Sequence, residues 1–240
     1  MNFNRFIRPI QMRRDLHSLF EQCFERHLQA RAVVYDIGCG QKPFKDFLAG
    51  KVQKHIGVDL ADGFYNPDQV DLIGTAYDVP AADGVADAVI LSQVIEHLES
   101  PMLAMGEAHR LLRNGGLVFL SFPFLYPIHA PPRDFLRYTE FYLADQLTSH
   151  GLEVVETVRL GGFWYLTGMN AMMYLHDVDR GPVRATRILK LLALLAGMAC
   201  GALHAVEGTF LRAAGKDITG IRAKWTMNYL TVLRKTAPVN

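Results

Sequence analysis

The sequence predicts an α/β fold: a doubly wound sheet of seven strands, with an N-terminal helix and a helical insertion before the last strand. Three observations carry this reading. Short β-branched apolar runs alternate with stretches of helical periodicity, the pattern of strands joined by crossover helices. Half of the 240 residues are hydrophobic and a fifth are charged, which is ample for a packed core and excludes a disordered or low-complexity chain. Roughly sixty residues separate the sixth and seventh strands, far more than such a connection needs.

The elements follow in order. Residues 5–30 place Phe6, Ile10, Leu16, Leu19, Phe20, Phe24 and Leu28 at helical spacing among charges. Ala32–Ile37 is β-branched, ends at Gly38 and reads as a buried strand. Lys42–Leu48 opens a helix, His55–Asp59 is a second strand and Val70–Gly74 a third. Asp87–Ser92 is the fourth, followed by a helix through Leu112, and Leu117–Phe122 is the fifth. Thr139–His150 reads as a helix with Thr139 as its N-cap, Glu140 in its first turn and Gly151 as its stop. Leu152–Leu160 is the sixth strand and Trp225–Leu233 the seventh. A single domain over residues 1–240 is expected: a helical segment 1–31, a core 32–160, an apolar and basic helical insertion 161–224, and a last strand with tail 225–240.

The net charge of +1 hides an asymmetry. Residues 1–179 carry 15 Lys+Arg against 22 Asp+Glu, a balance of −7, and residues 180–240 carry 10 against 2, a balance of +8. A basic end on an acidic body points to an anionic partner for that end. The acidic body argues against nucleic acid as partner. Cys23, Cys39 and Cys200 are too few and too scattered for a disulfide framework, and their spacing with histidine supports no metal site, so no metal is expected. The opening stretch MNFNRFIRPI lacks the apolar core of a secretory signal, so a cytoplasmic protein is expected.

The first strand runs into Asp36-Ile37-Gly38-Cys39-Gly40. Two glycines let the backbone turn sharply and approach a ligand. Asp59 ends the next strand, 19 residues after Gly40, where a carboxylate can accept both hydroxyls of a ribose. Gln41-Lys42-Pro43-Phe44 stands where a third glycine would pack against pyrophosphate, and Asp36 would repel phosphates. The ligand implied has a ribose and an ammonium group.

This combination resembles the class I S-adenosylmethionine-dependent methyltransferases, in particular the small-molecule "type 11" branch. The stretches that carry the resemblance are Val33–Gly40, Gly57-Val58-Asp59, Ser92–Leu98 (SQVIEHL) and Arg110–Gly116, the last with Asn114 where the family has proline. The resemblance covers about residues 30–160 and implies a Rossmann-like, mostly parallel sheet with the last strand antiparallel. It implies S-adenosyl-L-methionine as cofactor, with Asp36, Gly38 and Gly40 at its methionine portion and Asp59, followed by Leu60, at the ribose. Where the family places an acid near the adenine, this chain has Thr75-Ala76-Tyr77, with Asp78 as the substitute. Gln93 would face the amino-acid end of the cofactor. The chain has Ser92-Gln93-Val94 where base-methylating enzymes carry an Asn/Asp-Pro-Pro-Tyr pocket, a second argument against nucleic acid.

After the fifth strand, residues 122–139 gather four prolines around His129, Arg133, Asp134, Arg137 and Tyr138, with Tyr126 just before. These are the acceptor-binding candidates, since ligands of such sheets bind at the carboxyl ends of the strands. The segment is similar to one in bacterial methyltransferases of cell-surface glycan and lipid-linked pathways. His129 is the first candidate for general base, because an imidazole titrates near physiological pH, and His97 beside Glu96 is the second. The bland reading is that His129 and Arg137 lock the loop while Asp134 and Arg137 pair.

In the insertion, Gly161–Leu175 carries no charge and would either roof an apolar acceptor pocket or pack as core. Leu191–Leu203 has 13 residues without a polar side chain, too few for the roughly 20 of a membrane span. It reads as a helix buried on the sheet, a homodimer contact, or an element dipping into a membrane surface, the last favoured by the basic residues of 180–224. The reading is therefore a methyltransferase acting at a hydroxyl of a small-molecule, glycan or lipid-linked acceptor. Its rivals are C- or N-methylation of an aromatic or quinone-like acceptor, and a cofactor-binding protein without catalysis.

Overall fold

The computed structural model describes residues 9–61, 69–179 and 186–236. Seven strands form one sheet: β1 Val33–Ile37, β2 Lys54–Asp59, β3 Leu72–Ile73, β4 Ala86–Ser92, β5 Leu112–Pro123, β6 Leu152–Gly161 and β7 Thr226–Lys235. Their order is β3-β2-β1-β4-β5-β7-β6. The β1 strand pairs in parallel with β2 and β4, β2 with β3, and β4 with β5, so the carboxyl ends of these five strands share one edge. The helices are α1 Pro9–His27, α2 Lys45–Leu48, α3 Pro101–Leu111, α4 Glu140–Ser149, α5 Phe163–Asp179, α6 Thr186–Ala213 and α7 Ile218–Ala223.

Two compact units are distinguished. The first comprises His17–Phe124, Ile128–Val158 and Tyr229–Asn240, and the second Met1–Leu16, Leu125–Pro127 and Arg159–Asn228. The first owes its core to the continuous apolar strands: Val89, Leu91, Val118 and Leu120 are fully buried among Leu111, Leu112, Leu147 and Leu233. Buried aliphatic side chains of this size each contribute about 1.5–3 kcal/mol. Phe20 and Phe24 of α1 close a second face against Phe44 and Phe119, with ring centroids 4.5–5.5 Å apart. In the second unit Leu166, Met169 and Met227 form a cluster joined by Leu125, Tyr126 and Tyr165. The α5 and α6 helices pack closely because two positions lack a side chain. A Cβ on Gly168 would lie 2.8 Å from Cys200 Cβ, and one on Gly197 2.6 Å from Met172 Sδ.

Several boundaries differ from the sequence expectation, each for a local reason. The third strand has two residues, not five, because the chain turns at Gly74 into a tight Thr75–Asp78 loop. The fifth begins at Leu112 rather than Leu117, its register with β4 shifting at Ala86/Ala88. The segment after β4 is not immediately helical. It makes a 3-10 turn over Ile95–His97, and Pro101 then sets the start of α3. His97 therefore lies on that turn and not on the helix. Trp225 precedes β7. The expected cap is present: Thr139 Oγ1 accepts the Tyr142 amide, and Gly151 ends α4 at φ +73°. Residues 5–8 of the predicted first helix fall outside the described residues.

The Arg110 side chain ties the loop after β3 to α3. It bonds Glu107 through Nε (2.8 Å) and Nη2 (2.6 Å), and reaches Ala81 O at 2.8 Å and Val79 O at 3.1 Å. Glu107 Oε1 accepts the Val79 amide at 2.7 Å, and its carboxyl is held below the ordinary carboxylate range chiefly by Arg110. A lowered carboxylate stabilises the fold above its unfolded pKa and loses that contribution as pH falls through the folded value. Glu107→Ala is expected to cost about 2–3 kcal/mol at pH 7, and less at pH 3, in urea denaturation.

Candidate active site

The β1 loop is built on backbone constraints. Gly38 sits at φ +69°, and a Cβ there would stand 2.6 Å from Val94 Cγ2, so both conformation and packing demand glycine. Gly38 and Cys39 donate their amides to Val58 O at 2.8 and 3.2 Å, which ties the loop to β2. Gly40 donates its amide to Asp59 Oδ2 at 2.7 Å, and Leu60 donates to Asp59 Oδ1 at 2.8 Å. Each carboxylate oxygen thus retains capacity for one further donor. Asp36 is turned away from the open edge. Its carboxylate is 2% exposed and pairs with His55 Nε2 at 3.0 Å, while burial holds its pKa above the ordinary value. The Cys39 thiol is pushed up to about 12 by burial and the nearby carboxylates, and is inert.

Where a third glycine is missing, Lys42 takes its place at φ +48°. Its buried ammonium pairs with Asp71 and donates to His55 O at 3.2 Å, and its stem passes over Gly57, where a Cβ would clash at 2.4 Å. Asp71 also accepts the Gly57 amide at 2.6 Å. Lys42, His55 and Asp71 are thus parts of the loop's scaffold absent from the sequence expectation. Their sequence signs were Lys42 where a third glycine would stand, and polar His55 and Asp71 at the second and third strands. Beyond β3, Thr75 Oγ1 accepts the amides of Tyr77 (3.2 Å) and Asp78 (3.0 Å), forming a turn that carries Ala76. The Tyr77 hydroxyl accepts the Ser100 amide at 3.2 Å. Gln93 holds φ +57° and donates its side-chain amide to Ser121 Oγ at 3.1 Å, fixing the ends of β4 and β5 to each other. A non-glycine residue in that conformation is the kind of strain found at ligand sites.

Three residues past Gln93, Glu96 is fully buried and neither carboxylate oxygen meets a hydrogen-bond donor of another residue. Burial pushes its pKa up to about 8, with the Arg137 charge opposing. Its Oε1 lies 3.8 Å from His97 Nε2 and 3.9 Å from His129 Nε2, and the two imidazoles stand edge to face at 4.8 Å. His97 Nδ1 lies 2.5 Å from Arg133 O and therefore carries the proton. The 128–138 segment is anchored by the Phe135 amide to Glu96 O (2.9 Å) and by Asp134. The Asp134 carboxylate accepts Arg137 in a bidentate pair at 2.5 and 2.8 Å and the His129 amide at 2.8 Å, which holds it down at about 2.

The sequence candidates separate accordingly. Asp59, Gly38, Gly40 and Gln93 gather at the carboxyl edge of the parallel strands, and His97 and His129 converge on Glu96. Asp134 and Arg137 bind each other and brace His129. Arg133 offers its backbone carbonyl to His97 and is itself exposed. Tyr138 packs into the core against Phe122 and Tyr142, with one edge on a groove of about 580 Å³. Tyr126 joins the methionine cluster of the second unit. Glu96 was visible only as a neighbour of His97, since burial of its carboxylate follows from the 3-10 turn.

The strand order and the glycine loop are similar to those of class I S-adenosylmethionine-dependent methyltransferases. Residues 35–120, from β1 to β5, match the family described as a methyltransferase domain. A protein of Mycolicibacterium smegmatis named a probable S-adenosylmethionine-dependent methyltransferase is 31% identical over 103 residues, 40% of this chain and 40% of its own length. The chain thus matches well under half of that relative. The crystal structure of the [4+2]-cyclase SpnF superposes with a TM-score of 0.57 at 16% identity, covering 92% of this chain and 80% of that one. The Burkholderia thailandensis 1,6-didemethyltoxoflavin-N1-methyltransferase, solved with S-adenosylhomocysteine, gives 0.53 at 15% identity, covering 90% and 76%. At these identities the likeness is one of fold, and a fold shared with a cyclase leaves the reaction to be argued from the site.

Proposed function

We propose that the chain transfers a methyl group from S-adenosyl-L-methionine to a hydroxyl of a small-molecule, glycan or lipid-linked acceptor. The observation that carries this is the meeting, within one unit, of a ribose-type carboxylate site at Asp59 with the Glu96/His97/His129 group past β4. Asp59 holds the ribose, the Gly38–Gly40 backbone admits the methionine portion, and Asp36 sets the charge behind the loop. The Thr75–Asp78 turn and Leu60 bound the adenine. The cofactor supplies an electrophilic methyl on sulfur, and the protein must align the acceptor oxygen in line and lower its pKa. His129 and His97 are the catalytic groups that meet this hydroxyl. An imidazole activates it either by accepting its proton or by holding a cation that does so electrostatically.

The acceptor class is read from α6. Leu191, Leu195, Met198, Leu203, Val206 and Phe210 are exposed along one broad face of this 28-residue helix, and Arg212, Lys216 and Lys224 follow it. No helix among the described residues is long and apolar enough to cross a membrane. Such a face with basic flanks suits an anionic lipid surface, each cation adding about 1 kcal/mol. Flotation with phosphatidylglycerol vesicles tests this: the protein is expected in the floating fraction, and less so at high salt. Protein remaining at the bottom, as a monomer or as a dimer sealed on that face, overturns the lipid-linked reading.

A further inference from the structure

We propose that Glu96 Oε1, His97 Nε2 and His129 Nε2 form a binding site for one divalent first-row transition-metal ion. The inference deepens the reading of this group as the acceptor end of the site, because an ion there would leave positions open to the acceptor hydroxyl. The three atoms all lie within 4.8 Å of one another. At 3.8 and 3.9 Å the contacts to Oε1 are too long for hydrogen bonds, and they exceed by about half an ångström the ~3.3 Å between two ligands of a tetrahedral ion. Those separations suit side chains that share an ion rather than a proton. A proton relay would instead draw the groups into direct hydrogen bonds, and neither oxygen of Glu96 makes one to another residue. A buried carboxylate in that condition is costly unless a cation completes it.

The surroundings fit the same reading. The Arg133 carbonyl fixes the His97 proton on Nδ1 and so leaves the lone pair on Nε2, facing Glu96. His129 Nδ1 lies 3.3 Å from Asp134 Oδ2 and 3.5 Å from Arg137 Nη2. An ion at Nε2 selects the tautomer whose Nδ1–H faces Asp134, the carboxylate–histidine–metal arrangement that orients such ligands. Binding of the ion would release the Glu96 proton, and Glu96 and Asp134 against Arg137 then leave one negative charge facing it. Two imidazoles with one carboxylate favour zinc, iron, nickel or cobalt over magnesium or calcium. Sequence spacing concealed the set, because residues 96 and 97 are joined to residue 129 only through the β5 crossover.

Cobalt(II) titration of the chelator-stripped full chain, followed by visible absorption, tests the site. One ion per chain is expected, displaced by zinc. His97→Ala, His129→Ala and Glu96→Gln should each weaken binding by about 100-fold or more, and Asp134→Asn by about 10- to 100-fold. Calorimetry with S-adenosyl-L-methionine should remain unchanged in all four, which also shows that they fold. For the unaltered chain, zinc should protect His97 and His129 but not exposed His150 from diethyl pyrocarbonate. Absence of a saturable one-to-one band, unaltered affinity in the histidine variants, or equal modification of all three histidines overturns the proposal. Metal binding lost with methyl transfer intact removes the ion alone, whereas failure of cofactor binding removes the methyltransferase reading.

Discussion

Asp59→Ala lowers the affinity for S-adenosyl-L-methionine by about 100- to 10,000-fold. Two hydroxyl donors on one carboxylate are worth about 1.5–3 kcal/mol each, and every 1.4 kcal/mol is a factor of ten. The substitution also removes the acceptor of the Gly40 and Leu60 amides, so the loop loses one of the bonds that tie it to β2. Asp59→Asn retains one carbonyl oxygen and should fall between. Asp36→Ala acts differently, because that carboxylate faces His55 and is closed to the ligand edge. Its effect should be dominated by lost stability, visible in denaturation, whereas Asp59→Ala should lower the urea midpoint less than it lowers cofactor affinity. Calorimetric titration distinguishes the two, and a change of less than threefold at Asp59 would remove the ribose assignment.

His129→Ala lowers the rate of methyl transfer by about 100- to 10,000-fold while leaving cofactor affinity unchanged, the range of one lost group that activates a hydroxyl. His97→Ala falls in the same range. The double variant should be little worse than the poorer single one, since both imidazoles serve the same oxygen. Asp134→Asn is a positioning change: it loosens His129 and the Arg137 brace together, and its loss should be smaller than that of His129→Ala. Single-turnover kinetics with saturating cofactor separates these effects from binding.

The β1 loop and the place of Asp59 were legible in the sequence because their requirements are local. Gly38 and Gly40 answer to backbone conformation, and Asp59 to the end of a strand whose apolar run is continuous. Thr139 and Gly151 were legible as helix punctuation for the same reason. The acceptor half depends on tertiary contact. Glu96 became buried because the chain made a 3-10 turn before Pro101, and that turn set His97 against a loop 32 residues away. Nothing in local periodicity marks that partnership. Tyr138 looked like a ligand contact among charged neighbours, yet its ring completes the core beside Phe122. In the insertion, Leu166 and Met169 pack as core with Met227, as one of the two readings of that uncharged run expected.

The central claim is transfer of a methyl group by this chain from S-adenosyl-L-methionine. The most direct measurement incubates the purified protein with methyl-labelled cofactor and an extract of the source cells, then counts label in the lipid, glycan and protein fractions. The account predicts label in the lipid or glycan fraction, lost with Asp59→Ala and strongly reduced with His129→Ala. Label no greater than with heat-inactivated protein, although the cofactor binds, would contradict it.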